Sequence, residues 1–265
     1  MSKANRYSEI IAKIFLNHYR AGMEEVVFER DEIEEVAKRL KIVLPKNLGD
    51  IIYSFRYRGA LPAAITDKAP KDKLWVIRPV GRAKYCFSLT KQAEILPNAA
   101  LQEIKIPDST PGVIERYGFG DEQALLAKLR YNRLLDIFTG VTCYSLQNHL
   151  RTTVEGMGQV ETDELYIGVD RRGAHYVFPI QAKGGNDRIN VVQIEQDMAL
   201  CAEKFSDLIC RPIAAQFMQQ ELIALFELTE TDGNVAVVSE RHYRLVPSDD
   251  VSAEDLHRYR TIGTE

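Results

Sequence analysis

Apolar residues recur at helical spacing early in the chain: Ile10, Ile11, Ile14 and Phe15 share one face of residues 7–19 and predict a helix there. A short strand follows at 25–28. Asp31 stands where an N-cap would begin the helix IEEVAKRL, with acidic residues in its first turn. Leu44-Pro45-Lys46-Asn47 breaks that helix, and Asn47 can cap the next, LGDIIYSFRYRG, which stops at Gly59. Residues 73–77 and 84–89 alternate as strands around RPVGRA. Residues 93–117 hold three prolines and little periodicity, the pattern of a linker or crossing segment. Beyond them the pattern predicts an amphipathic helix over 121–137, a second helix over 144–152, a β-hairpin over 160–183 and a helix over 191–205. Strands then follow near 209–218, 223–228 and 235–238, and residues 243–255 lead into a capped terminal helix.

The chain has 265 residues, 45% hydrophobic and 27% charged, ordinary values for a soluble globular protein of one large or two smaller domains. No apolar run approaches the ~18 residues of a membrane span, and MSKANRYSEI lacks the apolar centre of a signal peptide, so a cytoplasmic protein is expected. Cys86, Cys143, Cys201 and Cys210 form no CxxC pair or zinc-finger spacing and read as free thiols. The net charge of -4 hides an asymmetry. Residues 1–95 carry 18 Lys and Arg against 12 Asp and Glu, leaving 16 basic and 26 acidic residues for the remainder. A basic front half suits an anionic partner such as nucleic acid, although a solvated surface or a protein-binding face would show the same excess.

The order helix, strand, helix, turn, helix, hairpin over about residues 5–92 resembles a winged-helix DNA-binding domain. That resemblance implies that residues 48–57 enter the major groove. Arg56 and Arg58 end that helix, and Arg78, Arg82 and Lys84 lie on or beside the wing, so these five are the expected DNA contacts.

ETDELYIGVDRRGAHYVFPIQAKGG, residues 161–185, carries the sharpest chemical signal. Alternation puts Glu161, Asp163 and Leu165 on one face of the first strand, and Gln181 and Lys183 on one face of the second. A turn centred near Arg172 sets Asp163 opposite Gln181, give or take one residue, close enough for their side chains to meet. A carboxylate, an amide oxygen and the backbone carbonyl of Ala182 are oxygen donors suited to a hard divalent cation, and Glu161 is a further candidate. A cation stabilises charge on a phosphodiester and acidifies water, while Lys183 offsets negative charge in the transition state. An exposed Asp163–Lys183 ion pair is the plainer alternative, but the apolar YVFPI leading into Gln181 and the two glycines after Lys183 favour a site. Pro179 in that strand counts against an uninterrupted ladder.

The pattern D-(x17)-QAK on a hairpin, with a helix before it and a helix then strand after it, resembles the PD-(D/E)xK nuclease superfamily over about residues 120–220. Together with the winged-helix-like front end it is similar to type II restriction endonucleases. The resemblance implies metal-dependent cutting of double-stranded DNA, with Mg2+ as cofactor and Mn2+ able to substitute. It assigns catalysis to Asp163, Gln181 and Lys183. It also implies a homodimer, and a cognate DNA methyltransferase acting on the same sequence. Gln181 departs from the family pattern, which carries Asp or Glu there, so metal binding weakens unless another carboxylate helps: Glu161 first, then Glu155 or Glu164. Gln193 and Gln196 are expected to support the site, Arg188 to meet a DNA phosphate, and His149 and Arg151 to face the scissile phosphate. The expected fold is therefore α/β of mixed α+β character: a winged-helix-like domain (1–95), a linker (96–119), and a restriction-endonuclease-like core (120–265) whose mixed central sheet is flanked by helices. A winged-helix regulator with an inactive core, and a repair or structure-specific nuclease, are the competing expectations.

Overall fold

The structure is a computed structural model that describes residues 7–117, 122–185, 187–218 and 221–261. Its amino-terminal part runs α1 (Ser8–His18), β1 (Glu25–Glu29), α2 (Glu32–Leu40), α3 (Gly49–Tyr53), a π-helical turn (Ser54–Arg58), α4 (Ala63–Thr66), β2 (Leu74–Pro79) and β3 (Lys84–Thr90). The three strands form an antiparallel sheet in the order β1-β3-β2. The stripe read from the sequence is the core of this unit: Ile10, Ile14 and Phe15 pack on Ile33, Ile51, Phe55, Trp75 and Phe87. The Asn47 side chain accepts the Gly49 N–H at 3.1 Å just ahead of α3, but the N-cap position falls one residue later, at Leu48, which has no side-chain cap. The helix expected over 48–59 is not uniform, because its second half winds into the π turn.

β4 (Glu94–Ile95), β5 (Glu103–Pro107) and α5 (Gly112–Tyr117) occupy the segment expected to be a linker. β5 is an edge strand of the main sheet, parallel to the strand over 234–246, so this crossing segment is tied into the core. Asp121, the expected start of the next helix, lies outside the described residues. α6 (Glu122–Tyr131) and α7 (Leu134–Thr139) replace the single helix expected over 121–137; Arg133, at φ 50°, adopts a left-handed conformation between them.

The larger correction is β6 (Thr142–Val154), a thirteen-residue strand where a helix was expected over 144–152. β7 (Gly158–Val169) and β8 (His175–Lys183) form the expected hairpin, followed by β9 (Ile189–Asn190), α8 (Val191–Lys204), β10 (Ile209–Cys210), β11 (Ile213–Phe217), β12 (Leu222–Thr231), β13 (Asn234–Val246) and α9 (Ala253–Thr261). The main mixed sheet runs β5-β13-β12-β11-β8-β7-β6, with β10 also pairing β8. Pro179 falls between the residues of β8 that pair with β10 and those that pair with β11, at a gap in that parallel ladder.

Helices cover both faces of this sheet. Leu125, Leu126 and Leu129 of α6 and Leu134 and Leu135 of α7 pack on Tyr166, Phe178, Ile180 and Ala182. On the opposite face, α8 packs Val192, Ile194, Leu200 and Cys201 against Leu165, Val177, Ala214 and Phe226. β8 is thus buried on both sides, which explains its unbroken apolar run. Truncating Phe178 to alanine should cost about 3–5 kcal/mol. Its ring also dictates Gly168, where a β-carbon would lie 2.6 Å from Phe178 and 2.7 Å from Val141. The four cysteines are free thiols, and no helix among the described residues is long and apolar enough to cross a membrane.

Candidate active site

Hairpin pairing holds the register Leu165↔Pro179 and Glu164↔Ile180, after which the two strands stop pairing. Asp163 and Gln181 come next, at the point of divergence. There the Asp163 side chain replaces a backbone acceptor: its Oδ2 takes the Ala182 N–H at 2.8 Å. The Lys183 ammonium lies 3.7 Å from the same oxygen. It also donates to Glu122 Oε1, at the start of α6, at 3.1 Å. Burial works against the Lys183 charge, but attraction to Asp163 and Glu122 outweighs it and lifts the pKa above the ordinary lysine value. The hairpin therefore brings Asp163 and Lys183 together as expected, and adds Glu122. Glu122 carries no local signal of this role, since it stands 61 residues from its partner.

Gln181 is placed differently from the expectation. Its Nε2 donates to Asp197 Oδ2 at 2.9 Å and to the Glu161 carbonyl at 3.2 Å, while its Oε1 accepts from Gln193 Nε2 at 3.2 Å. The amide oxygen is engaged by α8 and is not presented beside Asp163 as a ligand. Burial is the main reason the Asp197 carboxyl is held well above the usual carboxylate range; the Gln181 hydrogen bond opposes this, and the Asp163 charge adds to it. Asp197 Oδ1 has no hydrogen-bond partner among the described residues. Asp197 lies on the same helical stripe as Ile194, Leu200 and Cys201, and an acid inside an apolar stripe is the signal that would have found it.

Strict alternation from Glu161 to Leu165 does not hold, because Val160 and Leu165 pack in one cluster with α8. Glu161 instead meets Arg151 at 3.0 Å and His149 at 3.8 Å, so it does not join Asp163 as a ligand. Glu164 is fully buried on the α6 side, bonded to Arg130 at 2.7 Å and to Ser145. Glu155 sits exposed in the β6–β7 turn, its N–H bonded to Glu203. Neither reaches the site. Gln193 supports Gln181 as expected, but Gln196 turns away, accepting from Tyr57 at 2.9 Å and Arg56 at 3.3 Å.

The cationic residues divide into two groups. Arg78 makes a two-pronged ion pair with Glu195 of α8, both bonds 2.7 Å, and also bonds Ser88. Arg56 bonds Gln196, and its carbonyl accepts from Asn190. Both arginines therefore fasten the amino-terminal unit to α8, contrary to their expected DNA role. Arg82, Lys84, Arg58 and Arg188 are exposed. Arg58 and Arg188 line a cleft of ≈ 460 Å³ together with Tyr53, Glu122, His149 and Lys183.

Two carboxylates, Asp163 and Glu122, converge on one ammonium group, so this spot already holds a positive charge between oxygen donors. Among the described residues no three His, Cys, Asp or Glu side chains gather as a metal cage. A donor set of one or two carboxylates completed by water and phosphate fits Mg2+; it does not fit the fuller shells of Zn2+ or Ca2+. Comparison with family models and with curated proteins found no match, so the geometry alone carries the functional reading.

Proposed function

We propose that the chain is a Mg2+-dependent nuclease that hydrolyses phosphodiester bonds in DNA. The observation that carries this reading is the meeting of Asp163 and Lys183 where β7 and β8 part, with Glu122 beside them and a cleft above. Asp163 and Glu122 would hold the ion, and the Ala182 carbonyl is the proposed third oxygen. The ion supplies electrophilic help to the phosphate and a more acidic water.

The chain's own groups do the rest. The Ala182 N–H fixes one Asp163 oxygen and so orients the carboxylate toward Lys183. The Lys183 ammonium, kept charged by two acids, faces the negative charge that grows as water adds to phosphorus and the bond to the 3′ oxygen breaks. Arg58 and Arg188 at the cleft offer phosphate contacts, and Arg82 and Lys84 offer more distant ones. The order α1-β1-α2-α3-α4-β2-β3, with strands arranged β1-β3-β2, supports a winged-helix reading of the amino-terminal unit, α4 being a short extra turn before the hairpin. Helices on both faces of a mixed sheet support a restriction-endonuclease-like core. Site-specific cutting of duplex DNA by a homodimer, paired with a methyltransferase, belongs to the same proposal.

Plasmid nicking by purified protein tests it. Cleavage with Mg2+ or Mn2+, none in EDTA, and none by Asp163→Ala in Mg2+ are the expected results. Absence of cleavage by the unaltered chain in either metal would favour the second reading, a DNA-binding regulator with an inactive core. The engagement of the Gln181 amide by α8 favours that alternative.

A further inference from the structure

The cleft above Lys183 is a wedge between two units, and its walls are fastened together. Arg78–Glu195, Tyr57–Gln196 and Asn190 to the Arg56 carbonyl join them, as does the β4–β9 pair. Val76 and Ile95 also share one apolar cluster with Val191, Val192 and Phe226. The Lys183 side chain is 10% exposed, at the floor of this cleft. A volume of ≈ 460 Å³ falls within the range, about 300–1,000 Å³, that takes one small molecule, and a nucleotide is of that size. A paired duplex is far larger.

Tyr53 stands in the wall contributed by α3. The residue is 45% exposed, its ring braced edge-on by Tyr57 at 5.0 Å between centroids, and the Arg58 guanidinium lies 5.1 Å from its centroid. Tyr53 lines the same cleft as Lys183. An aromatic ring, a guanidinium and flanking cations lining one cleft are the features that bind unstacked bases and their backbone. From this the geometry points to an unpaired DNA nucleotide as the occupant of the cleft, its base stacked on Tyr53 and its phosphate directed to Lys183. The strand to be cut enters as a locally single-stranded segment. This rests on the nuclease reading for the identity of the ligand as DNA.

The test measures fluorescence anisotropy of the full chain in EDTA, with three labelled DNAs at one salt concentration: a single-stranded oligonucleotide, its blunt duplex, and that duplex with a central unpaired bubble. The single strand and the bubble should bind more tightly than the blunt duplex. Tyr53→Ala should weaken binding to the unpaired DNAs by about 5- to 100-fold and leave blunt-duplex binding unchanged, while Tyr53→Phe, which keeps the ring, should bind as the unaltered chain does. Equal affinity for all three DNAs, or unchanged binding of the bubble by Tyr53→Ala, overturns the assignment. Parallel cleavage in Mg2+ separates it from the nuclease reading. Preference for unpaired DNA without any cutting supports the cleft assignment and removes the hydrolase. Cutting of the blunt duplex as fast as the bubble overturns the cleft assignment and leaves the hydrolase standing.

Discussion

Asp163 and Asp197 lie on either side of the end of β8 in opposite surroundings. Asp163 has a backbone N–H and the Lys183 ammonium, and that ammonium lines the cleft. Asp197 is fully buried, has the Gln181 amide for a partner, and leaves its Oδ1 without one. The wet side therefore carries charge with a counter-charge, and the dry side carries groups that stay neutral. Gln181 is the boundary between them. An acid at this position would set a second buried carboxyl at hydrogen-bond distance from Asp197 and remove the amide donor that Asp197 Oδ2 now accepts from. The amide there is explained by the acid behind it, independently of any metal.

The largest effect should come from the wet side. Lys183→Ala removes the only ammonium shared by Asp163 and Glu122 among the described residues. It should lower nicking on the order of 10²–10³-fold, as loss of one preorganised charge-stabilising donor does, with DNA binding in EDTA retained. A variant that still cuts at the original rate would show that the ammonium does not face the reacting phosphate.

Next comes the boundary. Gln181→Glu should destabilise the fold by about 1–3 kcal/mol, the cost of leaving buried acceptors without their donor. Exchanging the two roles, Gln181→Glu with Asp197→Asn, should recover much of this loss, because an amide then faces an acid again. Thermal or urea unfolding of the two single variants and the double variant measures the coupling. Strictly additive losses would mean that the 2.9 Å bond between Gln181 and Asp197 contributes nothing specific.

These contrasts also show which parts of the chain were legible in its sequence. The hairpin was, because β7 and β8 are flanked by packed helices and their apolar pattern fixes one register. The 142–154 strand was not. It is an edge strand with both faces largely exposed, so no buried side enforces alternation, and Leu146 and Leu150 stand at the i, i+4 spacing of a helix. Asp163 and Lys183 follow from strand geometry alone. Glu122 does not, since only the packing of α6 on the sheet brings it to Lys183. Arg56 and Arg78 counted as basic surface because their partners on α8, Gln196 and Glu195, lie 140 and 117 residues away.

A smaller effect separates the two carboxylates offered as metal ligands by sequence and by structure. Glu122→Gln should raise the Mg2+ concentration needed for half-maximal cutting by about tenfold, the lower end of what removal of a ligand's support costs. Glu161→Gln should leave it unchanged, since Glu161 is held by Arg151. Calorimetric titration with Mn2+ gives a reading that does not depend on turnover. The reverse pattern would return Glu161 to the site and remove Glu122.

The smallest effect belongs to the dry side and is visible only against pH. The Asp197 carboxyl is raised chiefly by burial, so the folded chain holds this proton more tightly than the unfolded chain, where the pKa is about 3.9. Its contribution to stability is complete below that unfolded value and declines as the pH climbs through the folded one. Asp197→Asn keeps an oxygen to accept from Gln181 but carries no titrating proton. Its melting temperature relative to the original chain should therefore rise from pH 5 to pH 8. Lys183→Met should move with the same sign, but only at high pH. Its raised ammonium pKa contributes stability that is present below the unfolded lysine value and lost only above it, so the variant's deficit is constant from pH 5 to pH 8 and shrinks in alkali. Differential scanning calorimetry of both variants across pH 5–10 decides the matter. Parallel curves for Asp197→Asn and the original chain would mean that Asp197 is ionised in the fold, and the contrast between a charged cleft and a neutral interior would fail at its inner member.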